Sequence, residues 1–414
     1  MPVQILPILS SLRRHRLTAV LLVLQVAFTC AIVCNVVFLV AQRVQRVSVA
    51  TGIAENELSV IHSSGYTARE NAQARHATDL AVLRAMSGVR SVAAVSWSLP
   101  LSQSDDSYGV CPDDASRKQA MARRSADGTS CVQPSMYDGT EGLIGTLGLR
   151  LIAGRDFTSD DYVVGSAHKP AVAVITRALA QRLYPGKDPL GQSMYLGDAV
   201  IRVVGVVDTL LRPNLRTPAV DGYSVVWPQK PDGRTVTYVL RSAPQDRARL
   251  LREGRQALLA ASPNRLVNPD RMEPYTDMRA RFFQRDTTMI GLLVAAGLGL
   301  LFVTALGIAG LANFWVQQRT RSIGIRRAIG ATRGDILRYF QTENFLIVGA
   351  GIVLGMALAF GLNAVLMTHY EVSRLPLFYL PIGALALWLL GQLAVLGPAL
   401  RASAVPPVVA TRSV

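Results

Sequence analysis

Five histidines and four cysteines are the side chains in this sequence best suited to hold a metal or act as nucleophiles, and their spacing supports neither role. There is no H-E-x-x-H, no pairing of histidine and cysteine at ligand spacing, and no G-x-S-x-G to mark an activated serine. The phosphate-cradling pattern G-x-x-x-x-G-K-[ST] is missing too: "YPGKDP", residues 184–189, lacks the upstream glycine and the closing hydroxyl. The chain is therefore expected to be non-catalytic and to bind no cofactor or metal itself. His62, His76 and His168 read as surface residues. Asp160 and Asp161, without EF-hand spacing, read as a solvated turn rather than a Ca²⁺ site.

Cys111 and Cys131 flank "PDDASRKQAMARRSADGTS", residues 112–130, which reads as an exposed polar loop. Outside the cytoplasm a disulfide between them is permitted, with two free thiols as the alternative. Cys30 and Cys34 fall inside an apolar run and read as packing residues.

The densest charge is in residues 318–340, "QRTRSIGIRRAIGATRGDILRYF", which hold six arginines and one acid, Asp335, between two long uncharged stretches. The surrounding composition explains the setting. Half of the 414 residues are hydrophobic and only 17% are charged, low for a soluble protein. The formal charge of +15 raises nucleic acid as a partner, but the basic residues form no stripe interleaved with aromatics and no nucleic-acid motif occurs, so that class is excluded.

Four stretches lack charged side chains: Leu17 to Gln42, Thr287 to Gln318, Asn344 to Thr368 and Leu375 to Leu400. Each exceeds the roughly 20 residues that cross the hydrocarbon core as a helix, so four transmembrane helices are expected, in contact with membrane lipid. The first run is too long for the apolar region of a signal peptide and no convincing cleavage site follows Val40, so it reads as an uncleaved anchor. Arg13, Arg14 and Arg16, the six central arginines, and Arg401 with Arg412 then fall on one side, which the positive-inside tendency makes cytoplasmic. This gives residues 1–16 as a cytoplasmic N-terminal segment, 17–42 as helix 1, 43–286 as a large external domain and 287–318 as helix 2. Residues 319–343 follow as a cytoplasmic segment, 344–368 as helix 3, 369–374 as an external turn, 375–400 as helix 4 and 401–414 as a cytoplasmic tail.

Within these elements the spans hold no Asp, Glu, Lys, Arg or His, which argues against a proton- or ion-coupled pathway. Gly351, Gly355 and Ala359 form a ridge of small residues for close helix contact, within one subunit or across a dimer. Thr332 with Asp335 predicts a helix starting near Arg333 and running into the third span, and Gly330 supplies the break before it. Residues 43 to about 60 are expected to continue the first helix outward. The second uncharged run, about 48 Å long as a helix, is expected to project from the bilayer, giving stalk helices at both ends of the domain. Between them, strands are read at 88–99, 199–210 and 234–242, a strand followed by a helix capped by Thr176 at 170–191, and an amphipathic helix at 245–262. The fold class is an α-helical membrane protein with four spans and an α+β extracytoplasmic domain inserted between the first two.

"SIGIRRAIGATRGDILRYFQTENFLI" closely resembles the cytoplasmic signature of MacB/FtsX-type ABC transporter permeases. "SSLRRHRLTAVLLVLQVAF" resembles the family's approach to its first span, and "GPALRASAVPPVVATRS" its closing segment. "AGRDFTSDD", "AVAVITRALAQRLYPGKDPLGQSMYLG" and "IRVVGVVDTL" are similar to the MacB periplasmic core domain. The resemblance implies a bacterial inner-membrane permease whose residues 43–286 are a MacB-like periplasmic core domain of two lobes, one built from both ends of the region and one inserted between them. It implies a separate cytoplasmic ABC ATPase that binds ATP and Mg²⁺, a second permease copy or paralogue, and a periplasmic adaptor among the partners. It further implies mechanotransmission serving efflux or export. Residues 319–343 would be the coupling segment, with Ile323, Gly324, Ile325, Arg326, Arg327, Ala328, Gly330, Ala331, Arg333, Asp335 and Ile336 facing or shaping the ATPase contact. Ser322 stands where the family commonly has an acid. Lipoprotein release or cell-wall regulation shares this topology. A membrane-anchored sensor is the alternative from another class, although only short segments are read on the cytoplasmic face.

Overall fold

The computed structural model describes residues 16–66, 71–96, 98–125, 128–165, 169–370 and 376–404. Arg13, Arg14, His168, Arg412 and most of the turn read at 369–374 lie outside them. The chain divides into two units, Met1–Ser48 with Arg285–Val414, and Val49–Gln284.

The first uncharged stretch lies in helix α1 (Arg16–Val47). The helix does not continue to about residue 60. Beyond it the backbone turns to bonds with the intervening domain, where Thr51 O accepts from Leu211 N at 2.9 Å. Gly52 takes φ 87, and a Cβ there would lie 2.0 Å from Thr209 O, so the approach is open only to glycine.

The intervening unit is α+β. In chain order it contains β1 (Leu58–Gly65), α2 (Ala72–Arg84), β2 (Val89–Val95), β3 (Val110–Cys111), α3 (Asp114–Arg123), β4 (Ser135–Asp138), α4 (Leu143–Leu147), β5 (Leu151–Gly154) and β6 (Val163–Val164). It continues with β7 (Val172–Thr176), α5 (Arg177–Leu183), β8 (Ser193–Leu196), β9 (Ala199–Val207), β10 (Ser224–Trp227), β11 (Gln229–Lys230), β12 (Thr235–Ser242), α6 (Arg247–Ala261), β13 (Arg265–Pro274) and α7 (Tyr275–Phe282). A four-stranded antiparallel sheet, β13-β1-β12-β2, is built from both ends of this region, and a seven-stranded mixed sheet, β3-β8-β9-β7-β10-β4 with β5 on β9, from its middle. Strand alternation divides the first sheet between two cores. Ile61, Val92, Ala94, Tyr238 and Leu240 pack with Leu83, Leu251 and Leu258 of α2 and α6, while Leu58, Val60, Ala93, Val95 and Val239 join Val174, Val207 and Val226 of the second sheet.

Two expectations fail here. Residues 112–130 are not simply a loop: the Asp113 carboxylate accepts from Ser116 N at 2.7 Å and caps α3, a run rich in good helix formers. His76 is not a surface residue but is buried against Tyr238, and His62 on β1 is half-buried. Between α2 and β13, Asp79 and Arg265 form a fully buried ion pair at 2.5 Å, with the Tyr238 hydroxyl also donating to Asp79.

The remaining helices are α8 (Gln284–Gln318), α9 (Thr320–Ala328), α10 (Arg333–Tyr370) and α11 (Tyr379–Ser403). With α1, helices α8, α10 and α11 are long and apolar enough to cross a membrane. Small residues bring them together: a Cβ on Gly355 would lie 2.4 Å from Cys30 Cβ and 2.7 Å from Ala27 O, and one on Gly351 2.7 Å from Val26 Cβ. The ridge therefore serves a contact inside the chain, between α10 and α1. Ala359 is buried in the same seam, where its carbonyl accepts from Asn35 Nδ2 at 3.2 Å.

Candidate functional site

The basic segment that joins α8 to α10 folds as a helix, a turn and a helix start. Thr332 and Asp335 form a reciprocal cap: the Thr332 amide donates to the Asp335 carboxylate at 3.0 Å, and the Asp335 amide donates to Thr332 Oγ1 at 3.2 Å. Gly330, at φ 104, reverses the chain before it.

The amphipathic pattern divides the predicted coupling residues into two sets. Ile323, Gly324 and Ile336 are buried, and both isoleucines belong to the core of the helical bundle. Ile325, Arg326, Ala328, Gly330, Arg333 and Asp335 are exposed, and Arg327 and Ala331 are half-buried. Ile329, which follows α9, is 82% exposed, and Ile325 is 46% exposed. A short helix thus holds one apolar edge in the bundle and offers another outward, flanked by guanidinium groups. Arg326 lies over the Tyr339 ring, 4.8 Å from its centroid, so its charge is partly held within the chain. Ser322 Oγ donates to Arg319 O at 2.9 Å and makes a local helix bond in place of a charge.

The pair that fixes this segment is not among the individual coupling residues named from the sequence, although Arg319 is one of the six arginines and both members lie within 319–343. Arg319 Nη1 donates to both oxygens of Glu343, at 3.0 and 2.8 Å, and the Glu343 side chain is 2% exposed. Glu343 was legible in one respect: it is the acid that immediately precedes the third uncharged stretch. Its partner lies 24 residues away and is chosen by packing.

In the intervening unit Cys111 and Cys131 are joined as a disulfide, with Cα atoms 4.1 Å apart. Asp160 and Asp161 end a short 3₁₀ turn, where Asp161 caps Thr158 and pairs with Arg155 at 2.6 Å. The Arg155 guanidinium, aided by the Thr158 amide and hydroxyl, pulls the Asp161 carboxyl down to about 2. No group of three or more metal-ligating side chains occurs among the described residues.

Residues 17–257 match the MacB-like periplasmic core domain family, and residues 294–407 match the FtsX-like permease C-terminal family. An uncharacterized ABC transporter permease, YknZ of Bacillus subtilis (strain 168), is 24% identical over 238 residues, 53% of this chain and 55% of its own length. The macrolide export ATP-binding/permease protein MacB of Acinetobacter baylyi (strain ATCC 33305 / BD413 / ADP1) is 28% identical over 203 residues, 46% of this chain and 29% of its own length. The solved extracellular domain of the noncanonic ABC-type transporter YknZ from Gram-positive bacteria shares 16% identity at a TM-score of 0.32, covering 50% of this chain and 99% of that one. The chain thus spans about half or less of the length of the curated relatives it matches. With one family matching residues 17–257 and the other residues 294–407, in the order of the four spans and the domain between the first two, the chain belongs to the MacB/FtsX-type ABC transporter permeases.

Proposed function

We propose that this chain is a non-catalytic transmembrane subunit of an ABC transporter, with α9 as the element that receives motion from a separate ATPase. The observation that carries the reading is the outward edge of α9: Ile325, Ala328 and the adjacent Ile329 lie exposed beside arginines on a helix whose other edge is locked into the bundle. Such a helix transmits displacement to the spans only if its own seat is rigid, and the Arg319–Glu343 pair supplies that seat. ATP and Mg²⁺ would be bound by the partner. The absence of Asp, Glu, Lys, Arg and His from the uncharged stretches supports mechanotransmission, in which closure of the ATPase moves the extracytoplasmic domain without substrate crossing the bilayer.

A second permease copy or paralogue completes the assembly in this reading. Far less of the apolar stretch of α8 than of α1 is buried within the chain, which leaves apolar surface for another subunit or lipid. The membrane is the bacterial inner membrane, with both termini cytoplasmic and the domain periplasmic, where an adaptor could engage it. Macrolide export, named for the MacB relatives, makes efflux or export the proposed direction.

The test is Ala328→Trp, at an exposed helical position where the added bulk stays outside the bundle. Gly330 is less suitable, because any other residue would be strained at its φ of 104. The variant is expected to insert normally, yet to lose co-purification with its ABC ATPase and the stimulation of ATP hydrolysis. Full stimulation in Ala328→Trp would remove α9 from the contact. Failure of the unaltered chain to hold any ABC ATPase would favour an anchored sensor.

A further inference from the structure

We propose that the intervening domain binds a water-soluble organic anion in an arginine-lined cavity beside the Cys111–Cys131 disulfide. The cavity measures about 560 Å³ and is bordered by Arg124, Arg182, Arg212 and Arg216. These four guanidinium groups arrive from separate places: the end of α3, the last turn of α5, and two points on the segment between β9 and β10. Arg212 is 1% exposed yet borders the cavity. It donates to Gln133 O at 2.8 Å and to Asp105 at 3.0 Å, while its Nε has no hydrogen-bond partner among the described residues.

Two carboxylates lie near these arginines, and both are engaged. Asp105 takes Arg212, Arg216 at 3.5 Å and the Ser135 hydroxyl, and Asp221 accepts the Arg216 backbone amide at 2.7 Å. Arg124 and Arg182 are exposed and make no ion pair among the described residues. Convergence of like charges on a concavity is unfavourable unless an anion relieves it, and the planar guanidinium fork matches carboxylate and phosphate oxygens.

A second cavity of about 250 Å³ adjoins the first and shares Arg124 and Cys131 with it. Met121, Ala120 and Tyr195 give this one an apolar side. Arg124 is held at φ 52, a left-handed conformation uncommon outside glycine, where it borders both spaces. The ligand class is therefore a small molecule with a phosphate or carboxylate head and a short apolar part. The inference does not depend on coupling to an ATPase.

The experiment is isothermal titration calorimetry of the full chain in phosphatidylcholine nanodiscs at low salt, with hexyl phosphate and inorganic phosphate as probes. Hexyl phosphate is expected to bind about tenfold tighter than inorganic phosphate, because its chain removes apolar area from water. Arg124→Gln with Arg182→Gln, both at exposed positions that leave the fold intact, should weaken both probes by about tenfold or more through lost charge-assisted bonds. Met121→Ala should weaken hexyl phosphate alone, and Arg252→Gln on α6 should change neither. Equal affinity in the double variant and the unaltered chain, or equal loss in Arg252→Gln, would overturn the site. Equal binding of the two probes would overturn the apolar extension.

Discussion

Arg319, where α8 hands over to α9, meets Glu343 nearly three turns into α10, one Nη1 bridging both carboxylate oxygens. Removing one partner of a buried pair leaves a charge without compensation, at a cost of about 3–5 kcal/mol. Arg319→Met and Glu343→Gln should each lower the thermal midpoint of the detergent-solubilised protein, and the double Arg319→Met, Glu343→Met variant should recover much of the loss. A double variant no better than either single would mean that the pair is not what holds the segment.

At the α10–α1 seam, Gly355→Leu should destabilise by about 1–3 kcal/mol or more, because the new side chain has no room beside Cys30 and Ala27. Gly361→Ala on the same helix meets nothing within 4 Å and should be neutral or mildly stabilising. Thermal unfolding of the two variants side by side checks the contrast. Similar losses in both would show that helix packing at residue 355 is looser than described.

The disulfide closes a loop with a sequence separation of 20 residues, for which chain entropy gives about 3 kcal/mol of stabilisation. The paired Cys111→Ser, Cys131→Ser variant should unfold at lower denaturant, and thiol trapping of the unaltered protein without reductant should label neither cysteine. Labelling of both in protein taken from an oxidising compartment would contradict the bond.

His62 gives the unit 49–284 an acid-sensitive term. Burial, and then the Arg271 and Arg281 charges, lower its ring to about 4, while Thr237 Oγ1 sits 2.7 Å from Nδ1. The unfolded chain binds a proton near 6.5 and the folded chain does not, so the contribution is complete above 6.5 and is lost as pH falls toward 4. It amounts to at most about 3 kcal/mol. His62→Gln should flatten stability over this window, measured by chemical denaturation between pH 4 and 7. An unchanged slope would assign the acid limb to other groups.

Sidedness can be read with introduced cysteines, because Cys30 and Cys34 are buried and Cys111 and Cys131 are bonded. An impermeant maleimide applied to intact cells should label Asp232→Cys and spare Ser322→Cys. The reverse pattern would invert the topology.

The uncharged stretches, the Thr332–Asp335 cap and the Thr176-capped helix were legible in the sequence because each depends on neighbours a few residues away. Length, periodicity and turn chemistry are local properties of a chain. The same locality explains the errors. The helix after Gln42 was extended too far because only Thr209 and Leu211, far along the chain, draw residues 51 and 52 onto the domain. His76 looked exposed because Tyr238, which covers it, lies 162 residues later.

What the sequence alone determined is the order of spans and domain and the place where positive charge gathers. What only the tertiary structure decided is partnership. It sets Gly351 and Gly355 against α1, Arg319 on Glu343, Asp79 on Arg265, and four arginines around one cavity. These contacts join residues far apart along the chain, and their strength depends on burial and on the other charges nearby, quantities that exist only once the chain is packed.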